Sequence, residues 1–323
     1  MLNFEWVNAA SVDEAISLTV KGAALKAGGV DLLDLMKERL FEPRRLINIR
    51  DIKDLDYIKD DPKDGLKLGP MVTIATLADS KVIKDRYPML AEASLKIATP
   101  QIRNMATLGG NLLQRPRCWY FRNELTHCRK KGGEKCFAQE GENQYHAIFN
   151  NGLCAIVHPS GTATALVAYK AKIEITGKEG KRELSLEEFF QPPMVDLKRE
   201  NILDPGEVVT EIRVPAPSPN TKQYYIKLGE KESFDWPIAE VAAMLEIDGG
   251  VCKSASIVLG AAAPIPYRAA DTEKALVGKK IDEATVREAA KASLKAATPL
   301  ALNQYKVPLF ENVITRAILG AVA

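Results

Sequence analysis

One stretch constrains this chain more than any other: Ala106-Thr-Leu-Gly-Gly-Asn-Leu-Leu-Gln-Arg-Pro-Arg-Cys118, where a paired-glycine loop runs directly into the first of four clustered cysteines. Gly109 and Gly110 carry no Cβ, so backbone N–H groups there can close on a bulky anion. Asn111 adds a side-chain donor beside them. The residues from Gly110 to Cys118 span at most about 25–30 Å even fully extended, so whatever the glycines hold and whatever the thiols hold are neighbours.

Of the five cysteines, Cys118, Cys128, Cys136 and Cys154 fall close together. A secreted disulfide framework spreads an even number through a short chain, whereas clustering points to a metal. Successive members are separated by nine, seven and seventeen residues, with no C-x-x-C pair. Zinc ribbons use tight knuckles, while an iron–sulfur cubane accepts irregular spacing when a loop wraps it; iron–sulfur therefore ranks first and zinc second. His127 and His146 could replace one thiolate, but four cysteines already complete a site and ordinary loop histidines are commoner. The surrounding passage, about 115–155, has little periodicity and reads as an insertion that needs a function or a staple; thiolates around a metal supply the staple. Cys252, in Gly249-Gly-Val-Cys-Lys-Ser, reads as an uninvolved thiol beside a hairpin turn.

The rest of the chain reads as α+β. Ser11 followed by Glu14 has the capping-box spacing and predicts a helix over 11–21. Ala23–Ala27 reads as a strand, Gly28-Gly-Val-Asp31 as a turn and Leu32–Leu40 as a helix. Strand, glycine turn and helix together suit a phosphate, because a helix start presents unpaired N–H groups, although a plain tight turn is the commoner use of such a pair. No third glycine completes a Rossmann fingerprint. Leu46–Ile49 and Leu66–Leu68 predict strands, Thr76–Arg86 and Met89–Ala98 helices, the latter stopped by Pro100. Arg103 either faces a phosphate or is a surface arginine. A helix at Ala163–Lys170, strands at Lys172–Thr176 and Arg182–Ser185 and a two-faced strand at Glu207–Val214 follow. Pro215-Ala-Pro-Ser-Pro-Asn220 reads as a stiff linker, so the expected domains are 1–218 and 219–323. The last third predicts strands at Gln223–Leu228, Ile238–Ile247 and Ala255–Leu259 and helices at Asp271–Val277 and Asp282–Lys295, with no acid–base pair or nucleophile elbow: a scaffold or docking module.

The formal charge is only +2, with no basic run long enough to track phosphates, which argues against nucleic acid. No apolar run is long enough to span a bilayer. The N-terminal Met1-Leu-Asn-Phe-Glu-Trp lacks the layout of a signal peptide, so the expected compartment is the cytoplasm, with export alongside a signal-bearing partner as the alternative.

Ala27-Gly-Gly-Val-Asp-Leu-Leu33, Ala106-Thr-Leu-Gly-Gly-Asn111 and His158-Pro-Ser160, in that order, resemble the FAD-binding subunit of the molybdenum hydroxylases, the superfamily of xanthine dehydrogenase, aldehyde oxidoreductase and carbon monoxide dehydrogenase. The likeness implies a two-subdomain FAD-binding fold of the PCMH (vanillyl-alcohol oxidase-like) type, followed by a smaller α+β domain with an antiparallel sheet. The cysteine insertion resembles the loop that carries an extra [4Fe–4S] cluster in 4-hydroxybenzoyl-CoA reductase β subunits and some bacterial aldehyde oxidoreductase flavin subunits. By that similarity Cys118, Cys128, Cys136 and Cys154 are the ligands. Lys26, Ala27, Gly28, Gly29, Val30, Asp31 and Leu32 correspond to the first loop on the FAD diphosphate, and Ala106, Thr107, Gly109, Gly110, Asn111 and Leu113 to the second. Ser160 corresponds to a contact on the ribityl or phosphate region, Val209 to a residue against the isoalloxazine and Lys227 to one near its edge. The family commonly carries Asp directly after this Pro-Ser, whereas Gly161 stands here, so that hydrogen bond is lost or replaced by water and weaker FAD binding is expected.

The resemblance implies an electron-transfer subunit with no catalytic residue of its own. Substrate chemistry would belong to a molybdenum cofactor-binding large subunit, with a [2Fe–2S] small subunit between, and NAD, a quinone, ferredoxin or oxygen as external redox partner. The alternatives are a self-contained flavin oxidoreductase and a zinc-stabilised binding module without redox activity.

Overall fold

A computed structural model describes residues 1–323, built on three sheets. β1 (Glu5–Asn8), β2 (Ala23–Lys26) and β3 (Arg45–Asn48) form a parallel sheet in the order β1-β3-β2, with Leu46 between Trp6 and Ala24. The connections are α1 (Val12–Leu18) and α2 (Val30–Lys37). Ser11 caps α1 by accepting the Glu14 N–H at 3.1 Å, and the Glu14 carboxylate turns back to the Ala10 N–H.

The second sheet is antiparallel: β4 (Ile58–Asp61), β5 (Gly65–Leu68), β6 (Lys172–Gly177), β7 (Gly180–Ser185) and β8 (Val208–Val214), in the order β4-β5-β8-β6-β7. Between β5 and β6 run α3 (Ile74–Asp79), α4 (Lys81–Arg86), α5 (Pro88–Leu95), α6 (Pro100–Met105), α7 (Leu108–Leu112), α8 (Trp119–Arg122), the cysteine loop and α9 (Gly161–Ala168); α10 (Leu186–Phe189) follows β7. The expected Thr76–Arg86 helix is two helices, broken at the extended backbone of Ser80. Pro100 does not stop a helix but opens α6, where its missing N–H costs nothing and Thr99 caps the turn.

The third sheet comprises β9 (Thr221–Leu228), β10 (Ala239–Asp248), β11 (Val251–Gly260) and β12 (Tyr267–Arg268), antiparallel in the order β12-β11-β10-β9, with α11 (Ala270–Leu276), α12 (Glu283–Leu294) and α13 (Lys306–Val322). The sequence reading had no counterpart for α13. Its buried Phe310, Val313, Ile314, Ala317 and Ile318 keep helical spacing, and Pro308 sits in its first turn, where proline is tolerated.

This third sheet is covered on both faces. Val241, Ala243 and Leu245 pack with Ile314 and Ile318, while Ala242, Val258 and Tyr225 join the core formed by α5, α9 and the second sheet. Burial on both sides explains why Ala239–Leu245 reads as a nearly continuous apolar run rather than an alternation. No helix is long and apolar enough to cross a membrane.

The cysteine loop contains only short helical turns and no strand. Its second half is stitched to the chain's last third: Ile148 and Phe149 donate their N–H groups to Ala262, Thr298 donates to Ile148, and Asn303 Nδ2 donates to the carbonyls of His146 and Ala147. Protein hydrogen bonds therefore already order a segment whose sequence suggested a metal as its staple.

Candidate functional site

A cavity of about 700 Å3 opens where the three sheets meet. Ala27, Gly28, Gly29, Val30, Asp31 and Leu32 line one wall, Ala106, Thr107, Gly109, Gly110, Asn111 and Leu113 a second, and Val209 and Lys227 a third. The two glycine loops touch each other: a Cβ on Gly28 would sit 2.0 Å from the Met105 carbonyl oxygen, so only glycine permits this approach. Gly29 caps α2 in the left-handed conformation, φ +80°.

The loops divide the work in a way the sequence did not suggest. The N–H groups of Gly28 and Gly29 donate to no protein acceptor and stand beside the open first turn of α2. In the second loop the amides are spent: Leu108 donates to Val72, Gly109 to Pro70, and Gly110 to the Thr107 hydroxyl. That loop contributes the Asn111 side chain instead. Its Oδ1 accepts hydrogen bonds from Ser160 Oγ and Thr162 Oγ1, both at 2.6 Å, which fixes the rotamer and turns the unpaired Nδ2 towards the cavity.

Two expected contact residues lie behind the wall rather than on it. The Lys26 ammonium sits over the Trp6 ring, 5.2 Å from its centroid, because β2 turns that side chain away from the cavity. Ser160 is buried, caps α9 by accepting the Ala163 N–H and holds Asn111, so its hydroxyl is consumed within the protein. Arg103 does not line this cavity; it donates to the carbonyls of Ile97 and Ala98. Asp31 does line the cavity, but its carboxylate accepts from the Arg115 N–H and pairs with Arg117 and Arg122. A carboxylate beside an anion is repulsive; here arginine neutralises it and ties the first glycine loop to the entrance of the cysteine loop.

Cys118, Cys128, Cys136 and Cys154 line one small cavity together with His146. No three ligating groups stand at the spacing of a single metal ion. Backbone N–H groups are nevertheless aimed at the sulfurs: those of Tyr120 and Phe121 at Cys118, those of Ala138, Gln139 and Ala155 at Cys136, and that of Ile156 at Cys154. Burial pushes the Cys118 thiol up to about 11 against these amides. Cys154 donates to Cys136, which lowers the Cys136 thiol and raises its own. His146 Nε2 lies 3.2 Å from Cys118 Sγ. Burial and then the nearby Lys306 charge pull this imidazole down to about 4, so it is neutral at physiological pH. His127 is exposed and outside the cavity, and Cys252 is buried far from it, hydrogen-bonded to the Ser254 carbonyl.

Three wall residues escaped the sequence reading. Arg117 stacks 4.7 Å over the ring of Trp236, and the half-exposed Trp236 borders the cavity from the β9–β10 connection. Glu240 is a carboxylate buried to 3% exposure in the cavity wall. The available signal was its position as a lone charge in the apolar run Ile238-Ala-Glu-Val-Ala-Ala-Met-Leu.

Comparison with known proteins agrees with this layout. Residues 2–217 match the family model described as FAD binding domain in molybdopterin dehydrogenase, and residues 224–321 match the CO dehydrogenase flavoprotein C-terminal domain. The aldehyde oxidoreductase FAD-binding subunit PaoB of Escherichia coli is 32% identical over 98% of this chain and 97% of its own. The carbon monoxide dehydrogenase medium chain of Afipia carboxidovorans is 30% identical over 89% of this chain and 84% of its own. A chain in the solved carbon monoxide dehydrogenase of Hydrogenophaga pseudoflava superposes with a TM-score of 0.78 at 28% identity, covering 99% of this chain and 98% of that one. With free glycine amides, an oriented Asn111 donor and a deep cavity at the junction of the three sheets, this chain belongs to the family of FAD-binding domains in molybdopterin dehydrogenases, as an oxidoreductase subunit of molybdenum hydroxylase complexes.

Proposed function

We propose that this chain is an electron-relay subunit that holds FAD in the large cavity and a [4Fe–4S] cluster on Cys118, Cys128, Cys136 and Cys154. The observation that carries the reading is adjacency: Arg117 lines the large cavity and the next residue, Cys118, lines the cysteine cavity. One peptide unit, about 3.8 Å between Cα atoms, thus joins the two walls.

The donor set fits both groups. The free amides of Gly28 and Gly29 with the α2 start suit a diphosphate, and Asn111 Nδ2 suits a polar edge of the cofactor. Val209 would pack against the isoalloxazine, with Lys227 at its rim and Ser160 acting through Asn111. Four thiols on one cavity, with N–H groups directed at three of them, suit an iron–sulfur cluster, whose sulfurs commonly accept such hydrogen bonds. Bound flavin exchanges electrons singly or in pairs, which suits a carrier between one-electron and two-electron partners. The chain's own task is placement. Residues 1–218 would form the FAD-binding domain and 219–323 the domain that closes the cavity with Lys227, Trp236 and Glu240.

Substrate oxidation or reduction would lie in a molybdenum cofactor-binding large subunit, connected through a [2Fe–2S] small subunit, with NAD, a quinone or ferredoxin as outside partner. Five unpaired cysteines suit a reducing compartment, and we assign the complex to the cytoplasm. Anaerobic co-purification with partner subunits, followed by flavin, iron, acid-labile sulfide and zinc analysis, tests the reading. The expected result is flavin together with iron and acid-labile sulfide in excess of what the [2Fe–2S] subunit carries, with Cys136→Ser removing that excess while flavin stays. Zinc in place of iron, with no flavin released on denaturation, would overturn it.

A further inference from the structure

We infer that Glu240 supplies the buried carboxylate that contacts the flavin cofactor, entering from β10 the place that a side chain at residue 161 would otherwise fill. The inference rests on the reading of the large cavity as the flavin site.

Space is the first argument. A Cβ on Gly161 would stand 3.2 Å from Glu240 Oε1 and 3.0 Å from the Tyr225 hydroxyl, so a longer side chain there and the Glu240 carboxylate compete for one place. Gly260, opposite Glu240 in the β10–β11 register, makes room on the other side: a Cβ there would meet Glu240 Oε2 at 2.2 Å and Thr164 Oγ1 at 2.6 Å. Two glycines on different elements therefore flank this one carboxylate.

Lack of a good partner is the second argument. Glu240 is nearly fully buried, yet the hydrogen bond it accepts from Thr164 Oγ1 is long, at 3.5 Å, and the neighbouring Tyr225 hydroxyl is itself buried without a well-formed bond. Lys227 lies directly across on β9, but its ammonium donates to the Lys96 carbonyl at 2.8 Å and forms no ion pair with Glu240. Burial pushes the carboxyl above its usual range, against the pull of Lys227 and of the Tyr225 and Thr164 hydroxyls. A buried carboxyl without a good partner costs stability, and a strand this apolar would pack better with Val or Ile at that position. The group becomes intelligible as a polar contact for a ligand with N–H or hydroxyl donors. Flavin carries both, a ring N–H and the ribityl hydroxyls.

The test uses the purified complex, stripped of flavin and titrated with FAD while the quenching of flavin fluorescence is followed. Wild type, Glu240→Gln, Glu240→Ala and the double variant Glu240→Ala/Gly161→Asp are compared, with the melting temperature of each flavin-free protein as the control for folding. Glu240→Ala is expected to weaken FAD binding about tenfold or more, the worth of one hydrogen bond to a charged group. Glu240→Gln should lose less, and the double variant should recover to within about threefold of wild type, because the aspartate introduced on α9 would deliver a carboxylate to the vacated place. Wild-type affinity in Glu240→Ala, or a loss that Gly161→Asp does not restore, overturns the inference. A wild-type complex that takes up no flavin at all defeats the reading of the cavity itself, so the two failures are distinguishable.

Discussion

Lys306 offers the sharpest test of how the last helix holds the cysteine loop. Its side chain is fully buried at the start of α13, and Nζ donates to the carbonyls of Ala261 at 2.6 Å and His146 at 3.1 Å. Burial lowers its pKa from 10.5 to about 7, which is a statement about stability. A folded pKa below the unfolded one means that the unfolded chain binds the proton more tightly. The associated stability is therefore complete above the unfolded value and is lost as pH falls towards the folded one. Integrated from pH 6 to pH 9, the wild type should gain about 2–3 kcal/mol over a variant without the amine. For a chain of this size that is roughly 3–4 °C of melting temperature. Lys306→Met keeps most of the volume and removes the titration. Melting curves of both proteins, followed by circular dichroism across this pH range, give the difference directly; titrating groups away from Lys306 cancel in it, and His146, whose imidazole burial and then the Lys306 charge lower to about 4, is neutral throughout the range in the wild type. The expected result is a wild-type advantage that grows with pH. A difference that stays flat refutes the reasoning, because the amine would then keep its proton inside the fold.

Gly28→Ala would place a methyl group on the Met105 carbonyl, so the glycine loops must part at a cost of about 1–3 kcal/mol; the expected outcome is a lower ratio of flavin to protein absorbance in the purified chain. Asp31→Asn removes one of the two carboxylates that Arg117 and Arg122 share, Asp34 being the other, and should destabilise by about 2 kcal/mol, with iron retention falling because the entrance of the cysteine loop loosens; denaturant midpoints and iron analysis read both effects. Ser160→Ala removes the α9 cap and one of the two hydroxyls that orient Asn111, so about 1 kcal/mol of stability and several-fold in FAD affinity should be lost together. Retained FAD affinity in that variant would show that Thr162 alone orients the amide.

Local patterns carried much of the fold. Alternation found β8, helical spacing with a capping serine found α1, an amphipathic pattern found α12, and a glycine pair before an apolar helical run found the turn into α2. Proline misled at Pro100, because the residue that ends one helix is equally suited to begin the next, and the choice depends on whether a cap such as Thr99 precedes it.

The sequence by itself determined which residues had the chemistry: glycines that leave amides uncovered, an asparagine with a spare donor and four thiols on one loop. Those properties belong to residue types and short spacings, which folding does not alter. Only the tertiary structure decided who faces the cavity. It spent the second loop's amides on Val72, Pro70 and Thr107, sent Lys26 to Trp6, placed Ser160 behind Asn111 and brought Glu240 from a distant strand to Gly161. Each outcome depends on partners far away in the chain, which local periodicity cannot register because it compares a residue only with its neighbours.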